Sequence, residues 1–145
     1  MAGVTLTGDW TKFSRMLGKT LTKMEHAETL SEAFGEALVA STRQRFETGA
    51  RPDGTKWDKS KRVIAKGGQT LVDTGILKNS IGYEATRETV AIGTAEVYGA
   101  IHQFGGQAGR GKKVTIPERA YLGINDDDKE ELKGIAEDYI KEGLI

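Results

Sequence analysis

Apolar residues recur at intervals of three and four in three separate stretches of the chain, the spacing of one face of an α-helix. We predict helices from Asp9 to Met24, from Leu30 to Phe46 and from Asp126 to Glu142. Asn125 or Asp126 is predicted to cap the third helix, whose acidic first turn suits the positive end of a helix dipole. The stripes consist of Trp10, Phe13, Leu17, Leu21 and Met24, then Leu30, Ala33, Phe34, Ala37, Leu38, Ser41 and Arg45, then Leu132, Ile135, Ala136, Tyr139 and Ile140.

Apolar and polar residues alternate in two short runs around Tyr83 and Ile92, and this period of two predicts a β-hairpin. A third strand is predicted from Val114 to Ile116, stopped by Pro117. Two short helical segments are predicted, at Gly75 to Asn79 and at Val97 to Phe104. The predicted fold class is α+β, with two N-terminal helices and a C-terminal helix packed on a small, mainly antiparallel β-sheet.

Two stretches lack a sustained apolar period and are predicted to be long, mobile loops: Thr48 to Thr70 and Gly105 to Lys113. Trp57 lies in the first loop between two charged residues, and a large aromatic side chain in such a place is most often packed. We therefore predict that Trp57 is at least partly buried. Together with Val63 and Ile64, it would hold the loop to the body of the protein.

The composition narrows the class of protein. A length of 145 residues predicts one domain, and 19 glycines predict many turns. No cysteine is present, which excludes disulfides and thiolate metal sites. The N-terminal residues show neither a basic region nor an apolar run, so no secretory signal is expected. No apolar run approaches the ~18 residues typical of a membrane helix.

Charge is unevenly distributed although the formal net charge is zero. From Arg43 to Lys66 the chain has eight basic and three acidic residues, a net charge of +5. From Glu118 to the last residue it has four basic and nine acidic residues, a net charge of −5. Such a chain can pair its two charged regions internally or with a neighbouring copy.

No catalytic constellation is found in the sequence. Residues 106–112 have the spacing G-x-x-x-x-G-K of a phosphate-binding loop, but Lys113 stands where such a loop needs Ser or Thr. The acidic run from Asp126 to Glu131 lacks the glycine of a calcium loop and is predicted to be a helix start. The two histidines, His26 and His102, belong to no HExxH motif, and His102 is predicted to be structural. No cofactor and no metal are expected.

Four motifs, in a fixed order, resemble the phage virion morphogenesis or tail completion family of tailed phages, the Mu-G-like group. They are Pro-Asp-Gly-Thr-Lys-Trp from Pro52, Leu-Val-Asp-Thr-Gly-Ile-Leu-Lys-Asn-Ser-Ile from Leu71, Val-Tyr-Gly-Ala-Ile-His-Gln-Phe-Gly-Gly from Val97 and Ile-Pro-Glu-Arg-Ala-Tyr-Leu-Gly from Ile116. The resemblance spans roughly Leu30 to Ile140. The sequence departs from the family pattern at Ala120, where a second proline is expected, and at Gly99, where alanine is expected.

The resemblance implies a non-enzymatic structural protein of a phage or prophage particle, assembled in the bacterial cytoplasm. Such proteins complete the tail or help to join it to the head, as a ring of identical subunits that contacts other neck or tail proteins. A ring needs two different surfaces that meet on neighbouring copies, and the basic and acidic regions offer such a pair. The candidate interface residues are Arg51, Lys56, Trp57, Lys59, Lys61, Arg62, Tyr98, His102, Phe104, Arg110, Lys112, Lys113, Arg119, Tyr121, Asp126, Asp127 and Asp128.

Two alternatives of other classes remain open from the sequence. The first is a nucleic-acid-binding accessory protein that uses the basic loop, defined here as residues 51–66. This loop has one aromatic residue, Trp57, whereas readers of single-stranded nucleic acid combine basic with several aromatic side chains. The second alternative is a small hydrolase built around His102, which would need an acid or a metal beside that imidazole.

Overall fold

A computed structural model describes residues 3–17 and 21–143 and shows an α+β fold with small antiparallel sheets. Three strands form one sheet in the order β1-β3-β2, and a separate antiparallel pair, β4-β5, joins Gly106 to Ile116 and Ala108 to Val114. The strands are β1 (Val4–Asp9), β2 (Gly82–Ala85), β3 (Thr89–Thr94), β4 (Gly106–Ala108) and β5 (Val114–Ile116). The helices are α1 (Thr11–Met16), α2 (Ala27–Thr48), α3 (Lys61–Lys66), α4 (Ile76–Ser80), α5 (Gly99–Phe104) and α6 (Asp126–Lys141), with single 3₁₀ turns at Leu21–Lys23 and Arg110–Lys112.

The described residues form two compact units, and each is treated by itself. The α5 unit contains residues 3–5, 42–81 and 93–123. The α6 unit contains residues 6–17, 21–41, 82–92 and 124–143.

The core of the α6 unit is built on the apolar stripe of α2. Phe34 is buried and receives the edges of two other rings, with centroid distances of 5.2 Å to Trp10 and 6.1 Å to Phe13. The indole nitrogen of Trp10 donates to the Ser31 hydroxyl at 2.7 Å, so this buried polar atom is satisfied by the same helix. Gly35 has a packing role, because a Cβ there would lie 2.3 Å from the Tyr83 ring.

The predicted third helix is confirmed as α6, which starts with a capping box. Asn125 accepts from the Asp128 backbone N–H at 2.8 Å, and the Asp128 carboxylate accepts from the Asn125 N–H at 3.1 Å. The box satisfies two donors that the helix itself cannot pair. The predicted second helix is also confirmed and is slightly longer, as α2. The β2-β3 hairpin and the two short helices α4 and α5 agree with the sequence predictions.

The predicted first helix is wrong over much of its length. Asp9 ends strand β1, α1 covers only Thr11–Met16, and a 3₁₀ turn follows at Leu21–Lys23; residues 18–20 lie outside the described chain. Two hydrogen bonds explain the shorter helix. The Trp10 N–H donates to the Glu88 carbonyl at 2.9 Å, and the Leu21 N–H donates to the Ser14 hydroxyl at 2.6 Å. Tertiary partners therefore override the helical spacing of the apolar residues.

Both predicted loops contain regular structure. Residues 105–113 include β4 and the 3₁₀ turn, so β5 pairs with β4 and is not part of the three-stranded sheet. Residues 48–70 include α3, capped by the Ser60 hydroxyl, which accepts from the Val63 N–H at 3.3 Å. Trp57 is only 5% exposed, which confirms its predicted burial. Ile64 is 73% exposed, so its predicted anchoring role is wrong.

Candidate assembly surface

The 116–123 segment, residues 116–123, begins at the last residue of β5 and then follows an irregular path. Side chains of other elements form hydrogen bonds with its backbone groups. Arg45 of α2 is buried and donates through Nη1 to the carbonyls of Tyr121 and Gly123, at 2.8 and 3.0 Å. Arg51 donates through Nη2 to the Glu118 carbonyl at 2.9 Å. A segment without a ladder of its own has to find such partners, because unpaired buried carbonyls are costly.

Trp57 holds the same segment from the basic loop. Its indole nitrogen donates to the Ala120 carbonyl at 2.9 Å, while its ring packs edge-on against Phe46, with centroids 5.6 Å apart. Tyr121 packs on the other side, 5.2 Å from Phe46 between centroids. These three buried rings form the aromatic core of the α5 unit.

Helix α5 completes the support through Gln103. The Gln103 Oε1 accepts from the N–H groups of Tyr121 and Leu122, both at 3.0 Å, and its Nε2 donates to the Leu122 carbonyl at 3.1 Å. The Tyr121 hydroxyl donates to the Gly99 carbonyl at 2.7 Å, and burial raises the pKa of this phenol. A Cβ on Gly99 would lie 2.5 Å from the Thr94 side chain, so glycine permits the close approach of α5.

His102 and Arg119 line a cleft of about 410 Å³ in the α5 unit, together with Tyr98 and Ile76. The Arg119 N–H donates to the His102 carbonyl at 2.8 Å, and its Nε donates to the Asp58 carbonyl at 2.8 Å. Burial, and next the charge of Arg119, hold the pKa of His102 below its ordinary value. Burial also lowers the pKa of Arg119.

Ser60, Asp73 and Thr74 also line the cleft that contains His102. Within the described residues no group of three or more His, Asp or Glu side chains could hold a metal ion. The His102 Nδ1 is buried and makes no hydrogen bond to any part of the chain that the structure describes. A general base needs a group to orient it and a nucleophile to serve, and no hydrogen bond joins the His102 Nδ1 to Ser60, Asp73 or Thr74 of the cleft.

Several apolar side chains near α5 are turned to solvent. Val97, just before the helix, is 75% exposed, and Phe104, its last residue, is 67% exposed. Tyr98 is 37% exposed, and Val114 of β5 is 53% exposed. Three of the four lie within one eight-residue stretch, and grouped exposed apolar side chains commonly mark interaction sites.

The structure divides the candidate interface residues into a buried and a more accessible group. Four of them are buried inside the chain, so they serve internal packing and are removed from the proposed contact surface: Trp57, Arg119, Tyr121 and Asp128. Asp128 is occupied by the capping box and by a hydrogen bond from the Ser41 hydroxyl. The exposed members are Lys56, Lys59, Lys61, Tyr98, Phe104, Arg110, Lys112, Lys113, Asp126 and Asp127, while Arg51, Arg62 and His102 are half-buried.

Part of the basic loop is already paired within the α5 unit. Arg51 forms an ion pair with Glu118 at 3.3 Å, and Arg62 lies 3.9 Å from Asp73 while donating to the Gln69 carbonyl at 2.7 Å. Lys56 donates to the Thr48 carbonyl at 2.9 Å. Lys59, Lys61 and Lys66 remain as exposed cations of the loop that make no ion pair with the described residues.

Sequence reasoning missed two features of the molecule. Arg45 and Gln103 were not singled out for any role, although an arginine in the apolar stripe of α2 is a signal that a buried partner exists. The second missed feature is an apolar groove of about 660 Å³ within the α6 unit. Trp10, Phe13 and Leu132 are among its lining residues.

The fold is α+β, and the polar side chains of the α5 unit mainly fix an irregular segment. The sequence profile of the phage virion morphogenesis family matches residues 8–141, and the chain belongs to that family. It is 38% identical over 116 residues to "Mu-like prophage FluMu G protein 2" of Haemophilus influenzae, covering 80% of each chain.

A second relative is "Putative capsid assembly protein G" of Escherichia phage Mu, 31% identical over 115 residues, with 71% of this chain and 72% of the relative covered. No solved structure matches the chain significantly. Along the described residues, no helix combines the length and apolar character that a membrane crossing requires.

Proposed function

We propose that this chain is a non-enzymatic structural component of a phage or prophage particle. It acts at the neck or tail end, in tail completion or head–tail joining, as a ring of identical subunits. The family membership supports a role in particle assembly. The observation that carries the finer proposal is the exposure of Val97, just before α5, and of Phe104, its last residue. The Gln103 side chain and the Gly99 carbonyl tie this helix to the 116–123 segment.

This arrangement favours contact with a neighbouring subunit over turnover of a substrate. Gln103 and Tyr121 fix the backbone of α5 and of the 116–123 segment, so the exposed apolar side chains stand on an ordered support. An ordered support lowers the entropy cost of association. A specific interface needs about 1,000 Å² or more of buried surface. Val97 and Phe104 alone are too small for this, so exposed charged residues of the subunit would have to contribute buried area as well.

Charge pairing between copies would set the register of the ring. Lys59 and Lys61 are exposed in the α5 unit, and Asp126 and Asp127 are exposed in the α6 unit. Surface ion pairs contribute only about 0–1 kcal/mol each, so they orient the subunits while apolar burial supplies the affinity.

The first experiment measures the mass of the purified protein across concentrations by light scattering and sedimentation. We expect the wild-type chain to reach the mass of a closed ring, and Val97→Ser with Phe104→Ser to remain at the mass of one subunit. Met16→Ser is the matched control, because Met16 is 76% exposed in the α6 unit. A wild-type protein that stays monomeric at every concentration would contradict the ring.

The charge-pairing step is tested separately. Lys59→Glu with Lys61→Glu should prevent ring formation at physiological salt, and adding Asp126→Lys with Asp127→Lys should restore it in part. Arg62 and Asp128 are left unchanged, because Arg62 holds the Gln69 carbonyl and Asp128 caps α6. Normal assembly of the first variant would refute charge pairing while leaving the family assignment intact.

The name of the phage Mu relative refers to capsid assembly, which would place the action on the head and not at the neck or tail. Action on the head and action at the neck or tail are distinguished by purifying heads and tails from induced cells and probing each for the protein. Recovery with tails or joined particles supports our proposal, and recovery only with heads contradicts it.

The nucleic-acid alternative based on the basic loop has less support. Three of its cations, Arg51, Lys56 and Arg62, are engaged within the α5 unit, and its single tryptophan is buried.

A further inference from the structure

The β4-β5 hairpin carries three of the candidate interface cations, to which the proposed charge pairing gives no partner. Its strands pair from Gly106 with Ile116 to Ala108 with Val114, and its turn contains Arg110, Lys112 and Lys113, here the tip cations. The base of the hairpin is fixed, because the Gly105 N–H donates to the Ile101 carbonyl at 2.7 Å. A Cβ on Gly105 would lie 2.8 Å from the Glu118 nitrogen, which shows how closely the two ends of the hairpin approach.

The tip cations form a charge cluster of one sign. All three are exposed, and residues 105–117 contain no acidic residue. None of the three makes an ion pair within 4.0 Å to any residue in the described ranges, unlike Arg51 and Arg62 of the basic loop. Unpaired, exposed charges of one sign attract a partner of opposite charge.

The backbone of the tip lets a ligand come close. Gly109, Gly111 and Lys112 all have positive φ, at 79°, 71° and 53°, so the chain reverses sharply. Three of the four residues from 110 to 113 are cationic. Two of the five tip residues, 109–113, are glycines without side chains to keep a partner away. Gly111 and Lys112, together with Gly106, give the sequence the spacing of a phosphate loop, although the hydroxyl residue and the following helix of such a loop are missing.

We propose that the tip cations bind the phosphate backbone of double-stranded DNA without reading its base sequence. The major groove of B-DNA admits a two-stranded β-ribbon, and contacts from lysine and arginine to phosphates position a protein without specifying sequence. Gln107, which could read a base edge, accepts instead from the Thr115 hydroxyl at 3.1 Å. The inference rests on the proposed function only for the source of the DNA, which would be the genome of the particle.

An acidic protein surface is the less suitable partner. The cores of protein interfaces are enriched in aromatic residues and depleted in lysine. The tip, residues 109–113, contains two lysines and one arginine and no aromatic residue. Repeated phosphates fit such a tip better, because each cation that neutralises a phosphate releases a counterion.

The test is binding of the purified protein to a fluorescent duplex of random sequence, followed by anisotropy over a range of salt concentrations. Three phosphate contacts per engaged subunit predict a slope of about −2.7 in a plot of log K against log salt. This slope corresponds to about a forty-fold loss of affinity between 50 and 200 mM salt. The triple variant Arg110→Gln, Lys112→Asn, Lys113→Gln should lose this binding and its salt dependence.

The variant is chosen to preserve the fold. Asparagine replaces Lys112 because it tolerates positive φ better than most residues, and both glycines are kept. The matched control is Lys59→Gln, Lys61→Gln, Lys66→Gln, which removes three exposed charges from the basic loop and gives the same net charge. Thermal unfolding of all three proteins checks that the fold is retained. We expect the control to bind the duplex as the wild type does.

Three results would overturn the proposal: unchanged binding by the hairpin variant, equal loss in the control variant, or wild-type binding to polyglutamate but not to the duplex. The last result would identify an acidic protein surface as the partner. The mass of the protein without DNA is measured alongside, so a failure of DNA binding is distinguishable from a failure of ring formation.

Discussion

The two tryptophans of the chain show how differently its two units are built. In the α6 unit, Trp10 packs on Phe34 and donates to Ser31, and both partners belong to one regular helix. In the α5 unit, Trp57 packs on Phe46 but donates to the Ala120 carbonyl, in an irregular segment. The α6 unit therefore depends mainly on a periodic apolar stripe and helix caps. The α5 unit depends also on polar side chains that take the place of a hydrogen-bond ladder.

The largest expected effects come from deleting the two indoles. Trp10→Ala and Trp57→Ala each remove a buried aromatic ring and should lower the free energy of unfolding by about 3–5 kcal/mol, measured in urea. The two variants should differ in where amide protection is lost. In Trp57→Ala, hydrogen exchange should accelerate in the 116–123 segment, whereas in Trp10→Ala that segment should stay protected.

Phenylalanine at the same positions sharpens the comparison, because it keeps a ring and removes only the donor. Trp57→Phe leaves the Ala120 carbonyl without its partner and should cost about 1–3 kcal/mol. Trp10→Phe should cost less, because the Ser31 hydroxyl keeps its own contact with the Arg87 carbonyl at 3.5 Å. Equal losses in the two phenylalanine variants would contradict the proposed difference between the units.

Arg45→Met tests the polar support of the α5 unit directly. Methionine fills similar space but leaves the carbonyls of Tyr121 and Gly123 without their shared donor. Hydrogen bonds from a charged group contribute about 1.5–3 kcal/mol each, so we expect a loss of about 2–4 kcal/mol in urea unfolding. Leu38→Met is the control, because it exchanges one buried apolar side chain for another in the α6 unit. It should cost less than about 1.5 kcal/mol.

The same contrast explains what the sequence could predict. The stripes of α2 and α6 have the period of a helix, and both helices are found with nearly the predicted ends. The capping box at Asn125 was recognisable because it depends on neighbours along the chain. In these parts of the chain, local spacing and tertiary structure favour the same conformation.

The misses occur where a distant partner determines the local structure. The first predicted helix is short because Trp10 pairs with Glu88, 78 positions away in the sequence. Trp57 could be predicted to be buried, but its partner Ala120 could not be identified, since no local pattern links residues 63 positions apart. The roles of Arg45 and Gln103 were missed for the same reason, because their acceptors and donors lie on an irregular segment.

Asn125→Ala should have a smaller effect than any of the core or arginine substitutions, because it removes the cap of one helix. Loss of an N-cap side chain typically costs about 1 kcal/mol. Here it leaves the Asp128 N–H without its acceptor, while the backbone N–H of residue 125 can still donate to the Asp128 carboxylate. Fraying should be confined to the first turn of α6, where hydrogen exchange should increase. Asn125→Ser, which retains a capping oxygen, should restore most of the stability. Unchanged stability in Asn125→Ala would show that the cap contributes nothing.

The smallest expected effect is a pH dependence that belongs to the α5 unit alone. Burial, and then the charge of Arg119, hold the pKa of His102 below its ordinary value of 6.5. As pH falls through 6.5, the unfolded chain binds this proton before the folded chain does, so protonation favours unfolding. The contribution of the neutral imidazole to the free energy of unfolding is therefore complete above pH 6.5 and is lost as the pH falls below that value.

We expect the melting temperature to drop between roughly pH 7.5 and 5 in the wild type and less in His102→Gln. Parallel curves for wild type and His102→Gln would show that the cleft imposes no penalty on the charged imidazole.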